Sequence, residues 1–256
     1  MSKRTRFVIT SLILSLGFLG IQFLKDQNRF WAIGILGLLT FALCLWSLFE
    51  NLGKNMTYLT LVLPVMFTLG VGFFWFLLPT NIYARIPIII FYGVGIYILC
   101  LTANIYSVAS VKTIALLRAA RGVGFVLTLL VSFLVFDAIL SLKTEIYYLV
   151  PGVFALSFPL YLQGFWSMVL DKKRPKELIS LALASSLVTS EIAIALYFWP
   201  VTIVVGSLFL TVSFYMLLGL GQSKIEERLF SSTVREHLIV GVLIFIAMLI
   251  ATRWGA

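Results

Sequence analysis

Nine apolar runs of about twenty residues, set apart by short polar or charged breaks, organise this sequence. They fall at about Phe7 to Leu24, Phe30 to Phe49, Thr57 to Leu78, Ile86 to Tyr106, Gly122 to Leu142, Tyr147 to Leu170, Leu178 to Phe198, Val201 to Gly221 and Leu238 to Thr252. A helix rising 1.5 Å per residue needs roughly 20 apolar residues to cross a hydrocarbon layer. Within that layer each backbone N–H and C=O must be satisfied inside its own segment, so the element predicted for every run is an α-helix. The pattern predicts an all-α polytopic membrane bundle of about nine transmembrane helices. It fills residues 1–256 as one transmembrane domain and leaves no break long enough for a soluble domain.

Composition agrees, because 61% of the residues are hydrophobic and only 11% are charged, whereas soluble domains carry about a quarter charged residues. The placement of the charges then adds a direction. Fourteen of the nineteen lysines and arginines fall in alternate breaks that share a side with the N-terminus: Lys3, Arg4, Arg6, Lys54, Lys112, Arg118, Arg121, Lys172, Lys173, Arg174, Lys176, Lys224, Arg228 and Arg235. Lys25, Arg29, Arg85, Lys143 and Arg253 fall on the other side. Because positive loops are retained in the cytoplasm, the expected topology is N-terminus cytoplasmic and C-terminus outside. Trp31, Trp75, Tyr147, Tyr197 and Trp199 at the expected outer ends, with Trp46, Tyr58 and Trp166 near the inner ones, fit an aromatic belt. The net charge of +9 is then read as topogenic, facing anionic lipid headgroups on the cytoplasmic side rather than nucleic acid.

Local signals refine this picture. The basic start and first apolar run resemble a signal peptide, but no small-residue cleavage site follows, so an uncleaved first span is expected. Pro64 and Pro159 inside runs three and six predict kinks. Ser223 to Glu226 and Thr233 to Glu236 each read as a capping box, the first starting a short helix and the second the ninth span. Glycine pairs such as Gly93 and Gly95 predict close helix approach. Cys44 and Cys100 sit inside apolar helices, where neither a disulfide nor redox chemistry is expected.

Candidate chemistry is sparse. Glu191 in span seven and Asp137 in span five are carboxylates at membrane depth, costly there and so candidates for a proton or cation site. Facing one cavity, they would not both ionise with equal ease, which is the pattern of a relay. Ser186, Thr189 and Ser190 make span seven the most polar of the nine and offer a polar cavity wall beside Glu191. Arg118, Arg121, Lys172, Lys173 and Arg174 are candidates for holding a lipid phosphate. The single histidine, His237, has no second histidine to share a metal, and no chelating carboxylate pair, cofactor fingerprint or serine-hydrolase context is present.

These features favour a small-solute or lipid-related carrier in which spans five to eight frame a cavity reached from outside. The alternatives are a non-catalytic subunit or assembly factor of a membrane complex, and an enzyme acting on a lipid headgroup at the cytoplasmic face. The cytoplasmic membrane of a prokaryote is the simplest expected location. No partner protein and no homo-oligomer is specified by the sequence.

Overall fold

The computed structural model describes residues 2–24, 26–52, 57–77, 82–110, 115–170 and 175–252. In order, the long helices are α1 (Lys3–Ile21), α2 (Asp26–Leu48), α3 (Val62–Phe74), α4 (Ile82–Ala109), α5 (Leu117–Ser141), α6 (Ile146–Val169), α7 (Pro175–Tyr197), α8 (Ile203–Ile225) and α9 (Ser231–Ala251). Short 3₁₀ turns occupy Phe49–Asn51, Thr57–Leu61 and Trp75–Leu77. Among the described residues there are nine segments long and apolar enough to cross a membrane, the third being Thr57–Phe74, where a 3₁₀ turn runs into α3. The all-helical bundle predicted from the apolar runs is therefore present.

Helices α1, α5 and α9 begin well before their apolar runs, taking in Arg6, Arg118 and Arg235. A helix continues through the headgroup layer without penalty because its backbone bonds are internal, and long cations reach water along their own stems. Both capping-box expectations fail. Ser223 lies inside α8 and spends its hydroxyl on the Gly219 carbonyl at 2.9 Å, while α9 starts ahead of Thr233, with Phe230 as a cap that makes no side-chain hydrogen bond. A serine bonded to the carbonyl four residues back competes directly with the capping geometry. Pro64 stands in the first turn of α3, where a missing N–H loses no intrahelical partner, and the irregular backbone is the 3₁₀ turn ahead of it. Pro159 lies inside the continuous α6.

The chain divides into two compact units, Met1–Leu127 and Thr128–Ala256, the division falling within α5. In the first, α1 packs on α2 and α4, and α2 packs on α3. Its core centres on Tyr92, whose ring lies 4.9 Å from Phe18 and 5.8 Å from Phe67. The Tyr92 hydroxyl joins Thr68 at 3.0 Å, and Thr68 joins Thr40 at 3.0 Å, so three buried hydroxyls on α4, α3 and α2 satisfy one another. Gly95 is pressed against the Phe67 ring, leaving no room for a side chain. Beyond the end of α2, Glu50 pairs with Lys3 at 3.1 Å and Arg6 at 3.0 Å. Lys3 chiefly, with Arg6 adding to it, holds that carboxyl below the usual carboxylate range.

In the second unit α6 packs on α7, both touch α8, and α9 packs on α8. Tyr161 of α6 stacks 4.1 Å from Phe214 of α8, and its hydroxyl bonds Thr189 of α7 at 2.8 Å. Lipid tails are as apolar as leucine, so these helices are held by close packing and interhelical hydrogen bonds rather than by water exclusion. Helix α9 buries only Met248 along its length. Its N-terminal half meets α8 where the His237 imidazole lies on Gly219 and stacks 5.4 Å from Tyr215.

Candidate functional site

The most developed site lies at one end of α5 to α8. Asp137 is 3% exposed and accepts a hydrogen bond from the Ser207 hydroxyl of α8 at 2.9 Å. Ser207 also lies 3.0 Å from the Val204 carbonyl, so its one proton has two competing acceptors. Neither position is accidental to the helix pattern. Asp137 falls on the buried side of α5 with Ser132 and Phe136, and Phe136 meets Phe214 of α8 at 6.0 Å between centroids.

Leu140, one turn along α5 from Asp137, and Gly206, next to Ser207 on α8, help line a cavity of about 310 Å³. Its walls include Leu149, Leu196, Trp199 and Thr202, and its rim carries Lys143 and Thr144. Lys143 follows α5 with a left-handed backbone at φ 46°, and its amide is bonded to the Leu140 carbonyl at 3.3 Å. A cation at a helix C-terminus is favoured by the exposed carbonyl ends there. Trp199 donates its indole N–H to Thr252 at 2.9 Å, and Thr252 donates to the Met248 carbonyl at 2.8 Å, so the cavity wall is fastened to the end of α9. The result is a pocket with apolar side chains, three hydroxyls (Thr144, Tyr197 and Thr202) and one cation, and with the buried Asp137 carboxylate outside its lining, one turn along α5 from Leu140. Such a lining suits a small anion with an apolar body, since a few polar groups orient a ligand that apolar walls enclose.

Other sequence candidates are placed differently. Glu191 lies on the exposed side of α7 with Leu187 and Val188, away from Ser186, Thr189 and Ser190, which are all buried. Among the described residues, neither Glu191 nor Asp137 lines the cavity given above, and Glu191 is exposed where Asp137 is buried. Adjacent residues on a helix point 100° apart, so a carboxylate next to a polar face in sequence need not share it. The three hydroxyls are spent internally: Ser186 donates to Ala182, Thr189 to Ser185 and Ser190 to Ser186, at 2.8, 2.8 and 2.9 Å. Arg118 is exposed and Arg121 half-buried near the start of α5, while Lys172, Lys173 and Arg174 lie outside the described residues. Ser207 is missed by the sequence reading, although an Asp and a Ser on two spans that share an end are the residue types for a buried pair. Among the described residues no group of three or more His, Cys, Asp or Glu could hold a metal ion.

Among curated proteins and among solved structures, nothing matches this chain. One family matches it over residues 9–251, which takes in all nine spans nearly complete. The chain belongs to the family described as "Protein of unknown function (DUF5656)".

Proposed function

We propose that the protein is a membrane carrier for small amphipathic anions, with Asp137 as its proton-binding group and the α5 to α8 cavity as its substrate mouth. The observation that carries this reading is the buried Asp137–Ser207 pair, 2.9 Å long, one turn along α5 from Leu140, which with Lys143 lines a cavity of about 310 Å³. A carboxylate kept inside a span is expensive and marks ion or proton pathways. Lys143 supplies the charge that an anion needs, and Leu149, Leu196 and Trp199 supply the apolar walls. With the N-terminus in the cytoplasm, as the distribution of cations indicates, the cavity opens to the outside of a prokaryotic cytoplasmic membrane.

The test uses proteoliposomes with a trapped pH dye and short alkyl or aryl phosphates and sulfonates, anions that do not cross lipid unaided. Proton-linked uptake is expected in the wild type and absent in Asp137→Asn, with a raised half-saturation concentration in Lys143→Gln. Uptake by Asp137→Asn equal to the wild type, or none of any anion by the wild type, defeats the reading.

A second reading, a subunit or assembly factor of a membrane complex, is favoured by Glu191. Its carboxylate stands exposed on a membrane-spanning helix with no hydrogen-bond or ion-pair partner among the described residues. A neighbouring helix offering a cation or a hydrogen-bond donor at that depth would satisfy it. Gentle solubilisation should then recover such a membrane partner with the wild type and lose it with Glu191→Leu.

A further inference from the structure

A recess unconnected with Lys143 opens on the surface of the second unit, between α7 and α8. It is a groove of about 400 Å³, walled by Leu181 and Val188 of α7, Leu217 and Leu220 of α8, and Leu229 of the turn that follows α8. Two local features shape it. Gly221 of α8 has no space for a side chain, because the Phe165 ring of α6 lies against it and Leu181 of α7 packs beside it, so the three helices close up at that level. Past Ile225 the chain reverses at Glu227, whose backbone is left-handed at φ 59°, and the Arg228 N–H bonds the Ser223 carbonyl at 2.9 Å. This left-handed helix ending carries Leu229 back to the groove. Val188 and Leu229 remain 39% and 48% exposed, so nothing within the chain fills the recess.

One cation lines this groove. Lys224 stands exposed in the last turn of α8, and among the described residues its ammonium has neither a carboxylate nor a hydrogen-bond partner. The acids of the turn, Glu226 and Glu227, do not line the groove. From Lys224 back to Leu217 the lining covers about 10 Å of helix, of the about 15 Å that one leaflet's hydrocarbon measures. An apolar channel of that length, with a free ammonium at its headgroup end, has the chemistry of a phospholipid in reverse. The first unit carries a counterpart. A groove of about 410 Å³ runs along α1 and α4, lined by Val8, Leu12, Ile90 and Tyr97 among others, and no charged residue is among its described lining. The two grooves match in size and apolar character and differ in charge.

We propose that the α7–α8 groove is a binding site for one anionic phospholipid, with the phosphate on Lys224 and an acyl chain along Leu220, Leu217 and Val188. A lysine at headgroup level favours an anionic over a zwitterionic lipid about fivefold. Burial of the chain against leucines adds affinity that does not depend on the headgroup. Arg118 and Arg121, the described residues expected from the sequence to hold a lipid phosphate, do not line this groove. The site is independent of the carrier reading and of Asp137.

The experiment places the full-length protein in phosphatidylcholine vesicles containing a trace of either phosphatidylglycerol or phosphatidylcholine with a photoreactive diazirine in one acyl chain, and maps the adducts by peptide mass spectrometry. Several-fold more labelling by the phosphatidylglycerol probe is expected at the α7–α8 groove, and equal labelling by the two probes at the α1–α4 groove. Lys224→Gln should lower the preference at the first groove about fivefold, and Lys224→Arg should keep it. Ala184→Phe, at an exposed position in the groove wall, should reduce labelling there by both probes. The α1–α4 groove, labelled alike in every variant, reports an intact fold. Equal labelling of the α7–α8 groove by the two lipids in the wild type overturns the proposal, as does an undiminished preference in Lys224→Gln or undiminished labelling in Ala184→Phe. Labelling there by neither lipid, the result of a protein helix seated in the groove, overturns it as well.

Discussion

Ser207 and Asp137 face each other across α8 and α5 with 2.9 Å between hydroxyl and carboxylate oxygens, both buried. Removing the hydroxyl alone leaves a buried acceptor unmet, so Ser207→Ala should cost about 1–3 kcal/mol of stability. Replacing both, as Ser207→Ala with Asp137→Leu, should cost less than Ser207→Ala alone, because no orphaned polar group remains. Unfolding by SDS from mixed micelles, run as a double-mutant cycle, reads the coupling directly.

Glu191 should respond in the opposite way. A carboxylate costs about 2.5 kcal/mol or more at the centre of a span and less toward its ends, and Glu191, six residues before the end of α7, has no partner among the described residues to repay it. Glu191→Leu should therefore leave the isolated protein as stable or more stable in the same SDS assay. A loss of stability comparable to that of Ser207→Ala would mean that Glu191 is satisfied inside the chain.

The contact between Gly219 and the His237 imidazole has no space for a methyl group. Gly219→Ala should loosen α9 from α8, detected as faster amide exchange in residues 231–240, and His237→Ala in the same chain should restore it. Failure of that rescue would show that the glycine acts through its backbone rather than through the space it leaves.

Glu50 gives a pH signature. Its carboxyl is held low by Lys3 first and Arg6 second, so its stabilising effect is present above the unfolded value of about 4.3 and disappears as pH falls through the lower folded value. Because the group is exposed, added salt should shrink the effect. Melting curves of wild type and Glu50→Gln should differ at pH 7 in low salt and converge near pH 2.5 or in 0.5 M salt.

Breaking the Tyr161–Thr189 bond, by Tyr161→Phe, should cost about 0.6 kcal/mol, the mean for interhelical bonds in lipid. SDS unfolding should then report a smaller loss than for Ser207→Ala, since Thr189 keeps its bond to the Ser185 carbonyl.

The architecture was legible in the apolar runs because span length is fixed by the membrane, whatever the neighbours do. All nine are helices, and the buried polar face of α7, Ser186 with Thr189 and Ser190, lies where its spacing put it. Boundaries were less legible, since Arg6, Arg118 and Arg235 extend helices that hydropathy alone ends sooner. The site was half legible. Asp137 stands out in the sequence as a carboxylate within an apolar run, but its partner Ser207, seventy residues away, is a matter of which faces meet, and no single-chain periodicity encodes that. The same holds for Cys44 and Cys100, ordinary apolar positions until α2 and α4 are laid side by side. Glu191, which the sequence sets beside that polar face, stands on the exposed side of α7, a placement that adjacency along the chain does not settle.

The indole of Trp199 holds the hydroxyl of Thr252, just past the last turn of α9. The final helix, which buries a single residue along its length, is thus tied near its far end to the α7–α8 hairpin by this bond and by the Trp199–Phe245 ring contact. A fusion or affinity tag placed after residue 256 pulls on that tie, and so on the pocket wall at Trp199. Handles for purification and reporters for binding belong at the other terminus, and a protein trimmed ahead of Thr252 should show a wider, less selective mouth even if it remains well folded.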